Sequence, residues 1–168
     1  MSTLIRVEEV EPVEVGLVLP DINKALRLIL GLAFDVDLLA VKRFQMETTL
    51  PESYLIEPGK EDLIGIMPAD IQAITSVSTH KDKKYVYISP DGWRTDFEYT
   101  LAAAVAIALA EFSGSEISDS ALAYTGVFSQ PAGRFVQAVK PEVEKLYYNA
   151  KEAAEAFTAR LSRKRNAV

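Results

Sequence analysis

The stretch "YTLAAAVAIALA" (Tyr99–Ala110) contains no charged residue and follows directly on Glu98. Thr95 and Glu98 have the spacing of a capping box, and Gly114 stands where a helix C-terminal stop is expected. The sequence therefore predicts one helix over residues 95–113. Twelve helical residues rise about 18 Å, whereas the hydrocarbon core of a bilayer is roughly 30 Å thick. We expect a helix inside a protein core and no membrane span.

This helix is apolar on nearly its whole circumference, which indicates burial on two sides. One face carries large side chains such as Leu101 and Val105. The other face is made mostly of small residues: Ala102, Ala103, Ala106, Ile107 and Ala110. Small residues let a second backbone approach closely. The neighbour on this face is predicted to be either the C-terminal helix or the same helix of a second subunit in a homodimer.

The composition is that of an ordinary globular protein. Of its 168 residues, 49% are hydrophobic and 25% are charged, so we predict a single domain over residues 1–168, with residues 1–12 as an N-terminal arm. The formal net charge of -6 disfavours binding to nucleic acid, which requires Lys and Arg to neutralise phosphates. The absence of cysteine excludes disulfides and thiolate chemistry. Since the first residues do not resemble a secretory signal, we predict a cytoplasmic protein.

Hydrophobic periodicity predicts a β–α–β order at the start of the chain. The apolar residues of 13–19 alternate, which is typical of a half-buried strand. Asp21 is a suitable N-cap for a following helix, and Gly31 is a suitable C-terminal stop. Residues 36–44 then form a second predicted strand.

The rest of the chain predicts further strands and one long helix. Pro141 suits a first helical turn, so a helix is predicted over residues 141–164. The predicted strands cover residues 54–56, 63–67, 71–79, 84–89 and 115–118. The strands over 71–79 and 84–89 are separated by a short polar turn, which predicts a hairpin. This order favours an α+β domain, in which helices cover one face of a mostly antiparallel sheet. A ferredoxin-like arrangement is one candidate within this class.

No catalytic or cofactor-binding motif is visible. The single histidine, His80, lies in a polar turn, which favours an exposed residue over a catalytic base. Asp35 and Asp37 could ligate a cation, although such pairs are common where strands begin. The glycines form no phosphate-binding motif. The basic residues of 160–165 suit the C-terminal end of a helix. We therefore predict no cofactor and no metal, and the lack of a catalytic constellation favours a non-enzymatic protein, with an enzyme as the alternative.

The loop over residues 89–99 contains the residue types that are most enriched in binding hot spots. Its predicted partner-binding residues are Asp91, Trp93, Arg94 and Tyr99. In the alternative interpretation, Trp93 folds back into the core, because large aromatic residues are highly buried on average. The first hypothesis makes the chain a protein-interaction module that uses this loop or a sheet edge.

A small-molecule site is the second hypothesis. A cleft between the sheet and the irregular region 45–70 could bind a ligand or a substrate, with Tyr54, Glu57, Asp62 and Arg94 as polar groups. Pockets need only a few convergent polar groups in an apolar cavity, and these leave little trace in a sequence.

Overall fold

The computed structural model describes residues 5–32, 35–42, 45, 47–56, 63–69, 75–79, 85–90, 96–119 and 129–146. The helices of this part of the chain are α1 (Val15–Leu30), α2 (Asp96–Ser113) and α3 (Ala132–Leu146). Its strands are β1 (Ile5–Val7), β2 (Val13–Glu14), β3 (Leu38–Lys42), β4 (Glu47–Thr48), β5 (Tyr54–Ile56), β6 (Leu63–Pro68), β7 (Thr75–Thr79), β8 (Val86–Pro90), β9 (Glu116–Ser118) and β10 (Gln130–Pro131).

The main sheet has the strand order β10-β9-β1-β8-β7-β6-β3-β4, and every neighbouring pair is antiparallel. Strands β2 and β5 form a separate antiparallel pair. The side chains on one face of the main sheet share one hydrophobic core with α1, α2 and α3. The predicted α+β class is confirmed, as is the predicted hairpin of β7 and β8.

The N-terminal segment is not an arm over its whole length. Strand β1 lies inside the main sheet, between β8 and β9, with Ile5 opposite Ile88 and Val7 opposite Val86. Both Ile5 and Val7 are fully buried. Three residues with one alternation are too short a signal for periodicity, and only the neighbouring strands decide that this segment is central.

The connection through α2 has a defined topology. Strands β8 and β9 are both antiparallel to β1, so they run parallel to each other with β1 between them. Helix α2 joins them, which makes a split β–α–β unit. Ferredoxin-like folds are built from this unit, but here it belongs to a sheet of eight described strands.

Two predictions about helix α1 are wrong. The helix begins at Val15, so residues 15–19 are helical and not part of a strand, and Asp21 lies inside the helix and not at its cap. The residues that alternate over 13–19 do not share one face of the helix: Leu17 is 57% exposed, whereas Val15 and Val18, three residues apart, are buried. Burial of one stripe of the helix therefore prevails over the alternating pattern.

The predicted end of this helix is confirmed. Gly31 has φ 68°, in the left-handed region, and its N–H donates to the carbonyl oxygen of Arg27 at 2.8 Å. Glycine takes this conformation without steric cost and closes the last helical turn.

Helix α2 is enclosed by its own chain. Each residue of 101–110 is at most 1% exposed. The helix packs on α1 and α3 and also on strands β1, β7, β8 and β9. The neighbour α3 shares only residues 141–146 with the predicted C-terminal helix, and α1 is a further neighbour that the sequence did not indicate. Because a single chain already covers both faces, the small-residue face is not a contact between subunits.

Helix α3 begins at Ala132, nine residues before the predicted start, and Pro141 lies within it. Phe135 and Val139 are four residues apart and fully buried, so the first half of the helix is fixed by packing. Pro141 is exposed and lies in the helix interior, where its missing N–H removes one hydrogen bond to the preceding turn. The predicted end near residue 164 lies outside the described residues.

Candidate interaction surface

Neither predicted site is assembled from described residues alone. Asp91, Trp93 and Arg94 of the loop lie outside the described part of the chain, as do Glu57 and Asp62 of the predicted cleft. The other two predicted residues can be located. Tyr99 lies in the first turn of α2 and is half-buried, and Tyr54 lies on β5 and is 50% exposed.

The N-terminus of α1 is capped by a distant segment. Its N-cap residue, Glu14, makes no capping hydrogen bond with its side chain. Instead, the N–H of Val15 donates to the carbonyl oxygen of Ser53 at 2.9 Å, and the N–H of Gly16 donates to that of Pro51 at 2.8 Å. Backbone carbonyls thus satisfy donors that a helix usually presents to a capping side chain. The absence of a local cap explains why the sequence did not reveal this start.

Gly16 permits this contact. A Cβ atom at this position would lie 3.2 Å from the carbonyl oxygen of Pro51 and 3.3 Å from its Cβ, which is tighter than ordinary van der Waals contact. Glycine therefore allows the two backbones to approach closely enough for the hydrogen bond. The pairing of β2 with β5, with Glu14 opposite Tyr54, holds the same two segments together.

Exposed apolar side chains flank this contact. The structure describes five large hydrophobic residues that are exposed, and three of them lie on the two joined segments: Leu17 (57%), Leu50 (63%) and Tyr54 (50%). We call these three residues the Leu50 surface. Single exposed hydrophobics are normal, but a group of them on one surface is characteristic of contact sites.

The segments that form the Leu50 surface are acidic. Residues 9–21 and 47–56 contain no Lys, Arg or His. Their acidic residues are Glu9, Glu11, Glu14, Asp21, Glu47 and Glu52. The edge strand β4 leads directly into this region, and both of its side chains are exposed. The two segments thus carry exposed apolar side chains and carboxylates next to a sheet edge, at which the exposed Lys42 lies opposite Glu47.

A second cluster lies on the sheet face opposite to the helices. The Nη2 of Arg6 donates to Oε1 of Glu8 at 2.9 Å, and its Cζ lies 5.0 Å from the ring centroid of Tyr85. The rings of Tyr85 and Tyr87 pack edge to face with centroids 5.2 Å apart. The buried Nε of Arg6 donates to no residue that the structure describes. Its cation–π contact joins β1 to the start of β8, which is a structural role.

Two aspartates, Asp35 and Asp37, lie between α1 and β3. Asp35 forms an ion pair with Arg27, and Asp37 is exposed. The described residues contain no group of three or more side chains that could together ligate a metal ion. The ion pair supports the interpretation of these aspartates as residues at the entrance to β3.

Sequence reasoning did not single out Asn23, one of the buried polar residues that the structure describes. The side-chain amide of Asn23 donates from Nδ2 to the carbonyl oxygen of Val36 at 2.9 Å, and its Oδ1 accepts from the N–H of Val36 at 2.7 Å. Asn23 thus pairs with the backbone just before β3 and fixes α1 against the sheet. Its position beside Ile22 on the apolar stripe of the helix was the available signal.

Comparison with protein-family models, with curated proteins and with solved structures gives no match for this chain. No helix of the described residues is long and apolar enough to cross a membrane. Function must therefore be inferred from the surface that the chain itself presents.

Proposed function

We propose that this protein is a non-enzymatic interaction module that binds a protein partner through the Leu50 surface and the neighbouring edge strand β4. The observation that carries the proposal is the position of Leu17, Leu50 and Tyr54 on two segments whose backbones are hydrogen-bonded to each other.

This backbone frame favours recognition. The hydrogen bonds of Val15 and Gly16 fix the first turn of α1 against residues 51–53 before any partner binds. Binding to a pre-organised surface costs less conformational entropy than binding to a mobile one. Full burial of a Leu side chain contributes about 1.5–3 kcal/mol of favourable free energy, so an exposed Leu can contribute to binding when a partner covers it.

The exposure of Tyr54 favours an open contact surface over a closed pocket. A ligand pocket usually buries most of its ligand among converging side chains. Half of the Tyr54 surface is open to solvent, and of the four polar residues of the predicted cleft it is the one that the structure describes. The contribution of the loop around Trp93 to partner binding stays a prediction.

The experiment compares proteins that are captured from the native host by the full chain and by single variants. Leu50→Ser and Tyr54→Ser should each lose the same captured protein, because truncation of a central anchor costs about 2 kcal/mol or more. Leu28→Ser is the matched control, since Leu28 is 44% exposed on α1 and lies outside the surface. We expect it to retain the partner.

Melting temperatures of all variants decide whether the comparison is valid. Because the substituted side chains are exposed, we expect changes within about 0.5 kcal/mol in the free energy of unfolding. Equal capture by the wild type and by both surface variants would refute the proposal.

A further inference from the structure

We infer that the Leu50 surface binds a basic polypeptide segment, one that carries Lys or Arg together with at least two large apolar side chains. This inference rests on the proposed function and adds the chemical class of the partner.

Charge complementarity is the first support. Glu14, Asp21 and Glu52 lie on or beside the joined backbones, and residues 9–21 and 47–56 contain no cation. Glu52 is exposed, and Glu14 and Asp21 are partly exposed, so their charges are accessible to a partner. Glu11 lies instead at the end of α2, where its N–H donates to Oγ of Ser113, and Glu47 lies opposite the exposed Lys42. Complementary charge raises the association rate, and like charges in contact cost several kcal/mol. An acidic partner is therefore disfavoured on this surface.

The negative charge is local to this surface. Helix α1 places Leu28 about 16 Å further along the axis than Leu17 and on nearly the same side, since eleven residues make about three turns. Around Leu28 the helix carries Lys24 and Arg27. Near Leu28, α1 thus carries the cation Lys24 and the ion pair of Arg27 with Asp35, whereas residues 9–21 near Leu17 carry carboxylates and no cation.

A second copy of the chain fits this surface poorly. A two-fold symmetric dimer brings the same surface patch of both subunits together. Here such a contact would bring together two copies of a patch that carries Glu14 and Glu52 and has no cation on the joined segments. Their repulsion opposes the gain from burying Leu17, Leu50 and Tyr54. A basic partner supplies the opposite charge and buries the same apolar area.

The test uses three fluorescein-labelled peptides of 14 residues. The first has Leu at every third or fourth position and Lys elsewhere, the second has Glu in place of Lys, and the third has Ser in place of Leu. Anisotropy titrations measure the Kd of the full chain for each peptide. We expect the Lys–Leu peptide to bind at least about tenfold more tightly than either other peptide, which corresponds to 1.4 kcal/mol.

Two variants examine the apolar and charged parts separately. Leu50→Ser and Glu52→Lys should each weaken binding of the Lys–Leu peptide by about tenfold or more. Leu28→Ser and Glu111→Lys are the controls, because both residues are exposed and lie outside the surface. Their Kd values should stay within about twofold of wild type, a difference below 0.5 kcal/mol.

Several outcomes would overturn the inference. It fails if the Glu–Leu peptide binds as tightly as the Lys–Leu peptide, or if Glu52→Lys and Glu111→Lys give the same Kd. It also fails if sedimentation shows a dimer that Leu50→Ser dissociates, because a second copy would then occupy the surface. If the captured host protein depends on Leu50 but not on Glu52, the proposed function stands and the basic partner is wrong.

Discussion

Replacement of Asn23 by Ala should cost this protein a large part of its stability. Asn23 and Val36 are 8% and 3% exposed, and two hydrogen bonds of 2.9 and 2.7 Å join the side-chain amide to the Val36 backbone. The substitution leaves a buried N–H without an acceptor, at about 1–3 kcal/mol, and removes a bond to the carbonyl, at about 1 kcal/mol. We expect the free energy of unfolding to fall by about 2–4 kcal/mol.

Urea unfolding followed by far-UV circular dichroism measures this loss, provided that the m-value is unchanged. For a chain of 168 residues, 1 kcal/mol corresponds to about 2–4 °C, so Tm should fall by roughly 4–16 °C. Lys24→Ala is the matched control, because Lys24 is the exposed neighbour on the same helix. A loss below about 0.5 kcal/mol for Asn23→Ala, which is typical of surface positions, would refute the reasoning.

The pH dependence of Asn23→Asp provides a second, independent check. One oxygen of the new carboxyl can still accept from the N–H of Val36, but the other faces the carbonyl oxygen of Val36. The protonated form can donate to that carbonyl and the ionised form cannot, so the folded-state pKa of the new carboxyl should be raised above about 3.9. The stabilising contribution is then present below the unfolded pKa and lost as pH rises through the folded pKa. The variant should be closest to wild type in acid.

Two further substitutions examine the packing of α2 and the cap of α1. Ala106→Leu should lower the free energy of unfolding by about 1–3 kcal/mol, because it overpacks a fully buried position. Size-exclusion chromatography should show an unchanged oligomeric state. Dissociation of a dimer would contradict the enclosure of α2 by its own chain. Gly16→Val should lower the free energy of unfolding by a similar amount, because the new side chain displaces Pro51. Gly133→Val is the control, because a Cβ at Gly133 meets no atom within 4 Å, and it should change the urea midpoint much less. Equal effects of the two glycine substitutions would count against the proposed role of Gly16.

The sequence by itself determined those elements whose signals are local. Helix α2 lies where its uncharged stretch and Gly114 predict it, and α1 ends at Gly31 as predicted. The hairpin of β7 and β8 was also predictable, since each strand carries its own apolar run. In these cases the residues that decide the structure are close together in the chain.

The tertiary structure alone decided the central place of β1, the start of α1 and the Leu50 surface. The first turn of α1 depends on carbonyls of Pro51 and Ser53, more than 30 residues away, and β1 depends on strands from the second half of the chain. No local pattern encodes such pairings, because a backbone N–H or a three-residue strand can pair with many partners. The partner is determined only when the whole core packs.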